Sequence, residues 1–344
     1  MVSNINLLTK ISLGALVLWT ITAVPVTFAT KSSVFVYYDL ISFLLVCVAP
    51  GLLLFAGLNN INYNNQLYLK IRTHFLIEVF IICGMLATLM GLLFIVFISY
   101  HGVEHISGEG WVIVGRSLAV ALLTDYYAYC LAIACYFLKK IYFNNSDSSK
   151  VLEPQKSNIL ISIICFCLFI SILSIAFTFA GLDTGISIFK VVSLPTATLG
   201  LIILILFIIV LGKNLSIIKN SFMNKKQEIY LLENALLSIR NSTKIIAGFC
   251  VLIILATFIN IGVHFGDLAQ YGGVLLGFMS FGIIIAFLLI VIAKTFELRI
   301  LADMISQNHY NIKMDKYFLF KFIFPIYLVY FIISNAIFTF SFWM

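Results

Sequence analysis

Ser117-Leu-Ala-Val-Ala-Leu-Leu-Thr124-Asp125-Tyr-Tyr-Ala-Tyr129 lies inside an apolar run from about 112 to 138, closed by Lys139 and Lys140. A run of that length suits the roughly 20 helical residues that cross bilayer hydrocarbon. Asp125 near its middle is costly, because hydrocarbon cannot solvate a carboxylate. Insertion scales put the penalty at roughly 2.5–3.5 kcal/mol at a helix centre. A polar partner, a water-filled path or protonation has to offset that cost. Two readings stand: a neutral carboxyl hydrogen-bonded between helices for structure, or a member of an ion or proton path, which intramembrane carboxylates often mark.

The rest of the chain has the same character. Its 344 residues are 62% hydrophobic and 10% charged, against roughly 25% charged in soluble domains. An all-α, polytopic membrane protein follows. Nine runs are long enough to span, near 11–29, 38–57, 76–99, 112–138, 158–179, 187–212, 244–263, 271–293 and 317–343. Of the 21 Lys and Arg, an inside N-terminus leaves only Lys31, Arg116 and Lys190 on the outer side. That bias places the N-terminus in the cytoplasm and the C-terminus on the outer side. The net charge of +7 belongs to this topology and not to nucleic-acid binding. The seven cysteines fall within the runs and read as small buried apolar residues. Lys10, an apolar stretch, Pro25 and Thr27-Phe-Ala29 resemble a secretory signal; an uncleaved helix is favoured because the repeat described next needs it.

The chain reads as a duplication. Ser42 and Pro50 align with Ser187 and Pro195, Gly84 with Gly248, and Lys139 with Lys294. Each unit is two helices, a cytoplasmic loop and two more helices, so the two are parallel repeats. They cover residues 1–150 and 151–300, with a ninth helix in 301–344. Recurring prolines suggest a shared bend, the freed carbonyls being satisfied by neighbouring helices or water. Gly84-Met-Leu-Ala-Thr88-Leu-Met-Gly91 brings small residues for close helix approach and a threonine near mid-depth. Thr88 and Asp125 should therefore lie at similar depth on adjacent antiparallel helices. Leu252 and Ser280 take those places in the second unit, which suggests a working half and a supporting half.

These residues resemble the MotA/TolQ/ExbB proton-channel family. Gly84-x-x-x-Thr88-x-x-Gly91-Leu92 is similar to its Gly-x-x-Gly-Thr-Val-x-Gly-Leu pattern, with Ala87 and Leu89 substituted. Ser117 to Thr124 is similar to the stretch leading into its last helix, where the family has threonine and, three residues on, glycine; here those positions hold Asp125 and Ala128. The resemblance implies a ring of channel subunits around a single-span partner whose acidic residue carries the proton, with ion flow driving work on that partner. With the intramembrane carboxylate it makes Thr88, Thr124 and Asp125 the expected ion path, Asp125 standing where the family has threonine and supplying a carboxylate in place of the partner's. Gly84, Gly91, Ala128, Pro50 and Pro195 are the helix-packing positions. This chain has a short loop, about 58–75, where the family has a sizeable cytoplasmic domain, and its ninth run carries no acidic residue.

Other features carry less. His101-Gly-Val-Glu104-His105 matches a zinc-peptidase string, but it falls where a span gives way to a glycine-rich loop, and polar residues at a water interface account for it. Glu78 is expected to reach interfacial water. Ile229, Leu232, Leu236 and Ile239 form an apolar stripe at helical spacing, read either as an extension of the seventh span or as a surface-lying helix. No nucleotide loop or nucleophile constellation is present; no enzyme activity, metal or cofactor is expected. A structural membrane subunit and a secondary transporter remain as alternatives to the channel.

Overall fold

The structure, a computed structural model, describes residues 2–31, 39–58, 66–101, 108–143, 158–184, 194–212, 214–263, 268–307 and 323–343. Among them every regular element is helical: α1 Val2–Thr30, α2 Leu40–Gly57, α3 Gln66–His101, α4 Gly108–Phe143, α5 Ile159–Thr184, α6 Leu194–Leu211, α7 Asn214–Phe222, α8 Ile229–Val263, α9 Leu268–Ser306 and α10 Phe324–Trp343. Seven are long and apolar enough to cross a membrane. An eighth crossing results if α6 and α7, bent by 85° to each other, form one broken span. The described residues thus form a helical bundle whose long apolar helices suit a membrane.

Two helices form the centre. α3 is buried without interruption from Glu78 to Met90, and α9 is buried on nearly every face from Ile283 to Ile305. Helices apolar all round belong inside a bundle. Tyr68 joins them, its hydroxyl donating to the Ala302 carbonyl at 3.1 Å. α4 packs along α3, and α1 covers α4, with Gly14 so close that a Cβ there would lie 3.2 Å from that of Ala134. α2 lies against α3 and α4. α5 lies against α2, where the Ser162 hydroxyl donates to the Ala56 carbonyl at 2.7 Å. α6 and α8 cover α9 from the other side. Between helices already in lipid, small residues and polar links supply the specificity that hydrophobic contrast cannot.

α2 shows how a proline is housed. Asp39 caps it by accepting the Ser42 N–H at 2.6 Å, which satisfies one of the unpaired donors at a helix start. A π-helical turn, Leu44–Val48, then precedes the buried Pro50. Proline supplies no N–H and crowds the carbonyl four residues back, and a widened turn relieves both. α6 is described from Leu194, so a matching bend before Pro195 lies outside the described residues; Pro195 itself is exposed.

α8 and α9, at 35 and 39 residues, are about 52 and 58 Å long at 1.5 Å per residue. Both outrun hydrocarbon about 30 Å thick. The Ile229–Ile239 stripe belongs to this overrun as a continuation of the seventh span, with Leu232, Leu236 and Ile239 buried.

Candidate functional site

The motif residues of α3 and α4 face one another in antiparallel register. Gly84, Thr88 and Gly91 of α3 meet Ala128, Thr124 and Ala121 of α4. Steps of four and three along each helix keep all six on one face. At both ends of the ladder the backbones are too close for a larger pair. A Cβ on Gly84 would overlap that of Ala128, and one on Gly91 would come within 2.8 Å of that of Ala121. Contact this close brings a buried hydroxyl pair together at the middle rung.

Thr88 Oγ1 and Thr124 Oγ1 are 2.9 Å apart. Both reach the Ala121 carbonyl, at 2.8 and 2.6 Å, and Thr124 also lies 3.3 Å from the Gly84 carbonyl. Each hydroxyl has one proton to give. The pair is satisfied when one donates to the Ala121 carbonyl and the other to its partner, and rotation of two hydroxyls exchanges the two arrangements.

Asp125 follows directly. Its Oδ2 accepts a hydrogen bond from the Tyr327 hydroxyl of α10. Its Oδ1 is turned toward α3, 3.3 Å from the place a Gly84 Cβ would occupy. That oxygen is buried and accepts no hydrogen bond from the described residues. Among the described residues no Lys, Arg or His pairs with Asp125. An ionised carboxylate offers about four acceptor positions, and one donor fills a single position of them. Buried polar atoms without partners are few in folded proteins.

Ser280, which the repeat alignment sets opposite Asp125, also meets α10. Its Oγ donates to the Leu276 carbonyl and lies 2.6 Å from the Tyr330 hydroxyl. The other aligned positions part company. Gly248 has nothing within 4 Å of where a Cβ would be, and Leu252 is 60% exposed. α8 turns a different face inward, that of Ile246, Ala247, Cys250, Ile253 and Ile254. The tight glycine contact of this half is Gly282 of α9, where a Cβ would lie 2.6 Å from Leu199 of α6.

A second polar cluster was not legible in the sequence. Glu78 does not reach interfacial water; it is buried, with Oε2 2.9 Å from Lys294 Nζ of α9. Lys294 also pairs with Glu297 at 3.1 Å, and Arg240 of α8 holds the other Glu297 oxygen at 2.7 Å. His74 stands 3.8 Å from Glu78. Two acids and two bases thus balance across α3, α8 and α9. Nearby, the Arg299 guanidinium donates to the Ser221 carbonyl at 2.9 Å and pairs with Asp303 at 2.9 Å. The second half of the chain is therefore not depleted of buried polarity.

An apolar cavity of about 240 Å³ between α1, α2 and α4 is lined by Ala15, Leu16, Trp19, Phe43 and Cys47 among others; Asp125 is not part of it. All seven cysteines are free thiols, and Cys167 is exposed. The side chains of His101 to His105 fall outside those described, and among the described residues no three His, Cys, Asp or Glu gather as a metal site would require. Compared with protein-family models, curated proteins and solved structures, the chain has no match.

Proposed function

We propose that this chain is a proton-channel subunit of an energy-transducing complex in a bacterial inner membrane, with Asp125 as the group past which the ion moves. One observation carries the reading: a carboxyl buried among apolar helices has one oxygen hydrogen-bonded and the other without a donor among the described residues. A carboxyl locked for structure alone would be expected to have both oxygens occupied, since a half-satisfied buried group is destabilising. Thr88 and Thr124 adjoin it and supply hydroxyls that reorient without breaking the helix contact. The likeness of the α3–α4 ladder residues to the MotA/TolQ/ExbB pattern points the same way.

The finer architecture belongs to the same proposal. Nine crossings would be arranged as two parallel four-helix units and a last helix, with the N-terminus in the cytoplasm and the C-terminus in the periplasm. The placing of Lys and Arg supports the orientation. The meeting of α10 with both Asp125 and Ser280 supports the duplication. A single-span partner carrying an acidic residue, and assembly into an oligomer, complete the reading; no catalytic activity or cofactor is assigned.

A non-conducting structural subunit is the competing reading, favoured by the closed Thr88–Thr124 pair. Covalent labelling separates the two. A hydrophobic carbodiimide adds the O–H of a carboxylic acid across one C=N bond and leaves an acylurea detectable by mass. In proteoliposomes, proton flux should fall in step with modification of Asp125. Modification of Asp125 with flux unchanged would remove it from the path. Absence of flux before labelling, with the protein folded, would favour the structural subunit.

A further inference from the structure

We propose that Tyr327 is a positioning residue of the Asp125 site and that Tyr330 anchors its helix, making α10 a working part of the ion path. The functional half of this inference rests on the channel reading; the positioning half stands on geometry alone.

Tyr327 and Tyr330 are three residues apart, so they project from one face of α10. That face enters the bundle between its two halves, and Tyr330 is fully buried with Tyr327 nearly so. A buried phenol requires a hydrogen-bond partner, and each tyrosine finds one on a different helix. Tyr330 meets Ser280 of α9 and Tyr327 meets Asp125 of α4. The two bonds differ in kind. Ser280 also reaches the Leu276 carbonyl at 2.6 Å, and between Ser280 and Tyr330 either hydroxyl can donate. That bond joins two neutral hydroxyls with no carboxyl between them, which suits an anchor.

Tyr327 instead donates to a carboxyl, and it is the donor that the described residues provide to that group. Fixing Oδ2 on α10 fixes the plane of the carboxyl, which turns Oδ1 toward Gly84 and the threonine pair. The groups facing Asp125 are Thr88 from α3, Tyr327 from α10 and Tyr129 from its own helix. None is charged, so among the described residues no ion pair could hold the carboxyl if Tyr327 released it. The Phe331 ring, 6.2 Å from that of Tyr327, supports the phenol from the next turn. Without the hydroxyl, Asp125 would keep its place on α4 but lose its orientation.

Infrared difference spectroscopy between low and high pH tests this on the purified protein. The band of the Asp125 carboxyl is the one absent from Asp125→Asn. Tyr327→Phe should move that band to higher frequency, as a carbonyl freed of a donor does, and Tyr330→Phe should leave it in place. In proteoliposomes Tyr327→Phe should lower proton flux by about tenfold or more, as loss of one hydrogen bond to a charged group allows. Should Tyr327→Phe fail to fold, 3-fluorotyrosine at position 327 keeps the ring and strengthens the donor, and the band should shift the opposite way. An unmoved band in either form overturns the positioning role. A moved band with flux that depends on Asp125 but not on Tyr327 overturns its part in the path. A moved band in a protein that conducts nothing leaves the positioning intact and counts against the channel alone.

Discussion

At Gly84 one methyl group decides whether α3 and α4 can meet. Gly84→Ala places a Cβ on that of Ala128, and the helices must part. Over-packing of this kind costs about 1–3 kcal/mol. Gly248→Ala, at the position the duplication aligns with it, meets open space and should gain up to about 1 kcal/mol of helix propensity. Thermal unfolding in detergent compares the two, and equal effects would contradict the asymmetry. Thr88→Val keeps the shape and removes the hydroxyl; links of this sort between membrane helices average about 0.6 and reach about 1.7 kcal/mol. Gly84, Thr88 and Asp125 were readable beforehand because glycine spacing and a lone charge in an apolar run have few meanings. Tyr327 was not, since a tyrosine in a Phe-rich span looks like any lipid-facing aromatic until the helix beside it is known.

Among the elements, α9 holds the bundle together through charge as well as packing. Lys294 bridges Glu78 and Glu297 while Arg240 secures Glu297 from α8. Lys294→Met would leave two buried carboxylates short of a partner, and removal of one member of a buried pair costs about 3–5 kcal/mol. Adding Glu78→Gln to Lys294→Met should recover part of that loss in the same unfolding assay. Two independent, additive losses would show that the residues are not coupled. The cluster escaped sequence reading for a physical reason. Glu78 sits near one end of its span and Lys294 closes another, and each alone can be placed at water. Only the packing of α3 on α9, from opposite halves of the chain, brings them together. The length of α8 and α9 escaped for a related reason: polar residues seem to end an apolar run, yet a helix continues where neighbours bury its stripe.

On the scale of the whole molecule, a helical fold with membrane-length apolar helices was legible from composition and run length, because hydrocarbon permits few other solutions to backbone hydrogen bonding. Each apolar run overlaps a described helix, and seven of those helices, or eight with α6 and α7 as one broken span, are long and apolar enough to cross a membrane. The proposed orientation predicts that tags at the N-terminus and in the loop near residues 145–155 react with impermeant reagents only after the inner membrane is opened. A tag after Met344 should react without opening it. The spacing on which the proposed duplication rests does not carry into packing, since α8 turns another face inward than α3. The central claim is that ions pass Asp125, and the most direct test is proton flux into liposomes carrying wild-type protein or Asp125→Asn, each shown to be folded and assembled alike. The account predicts loss of flux in Asp125→Asn. Undiminished flux in that variant would contradict it.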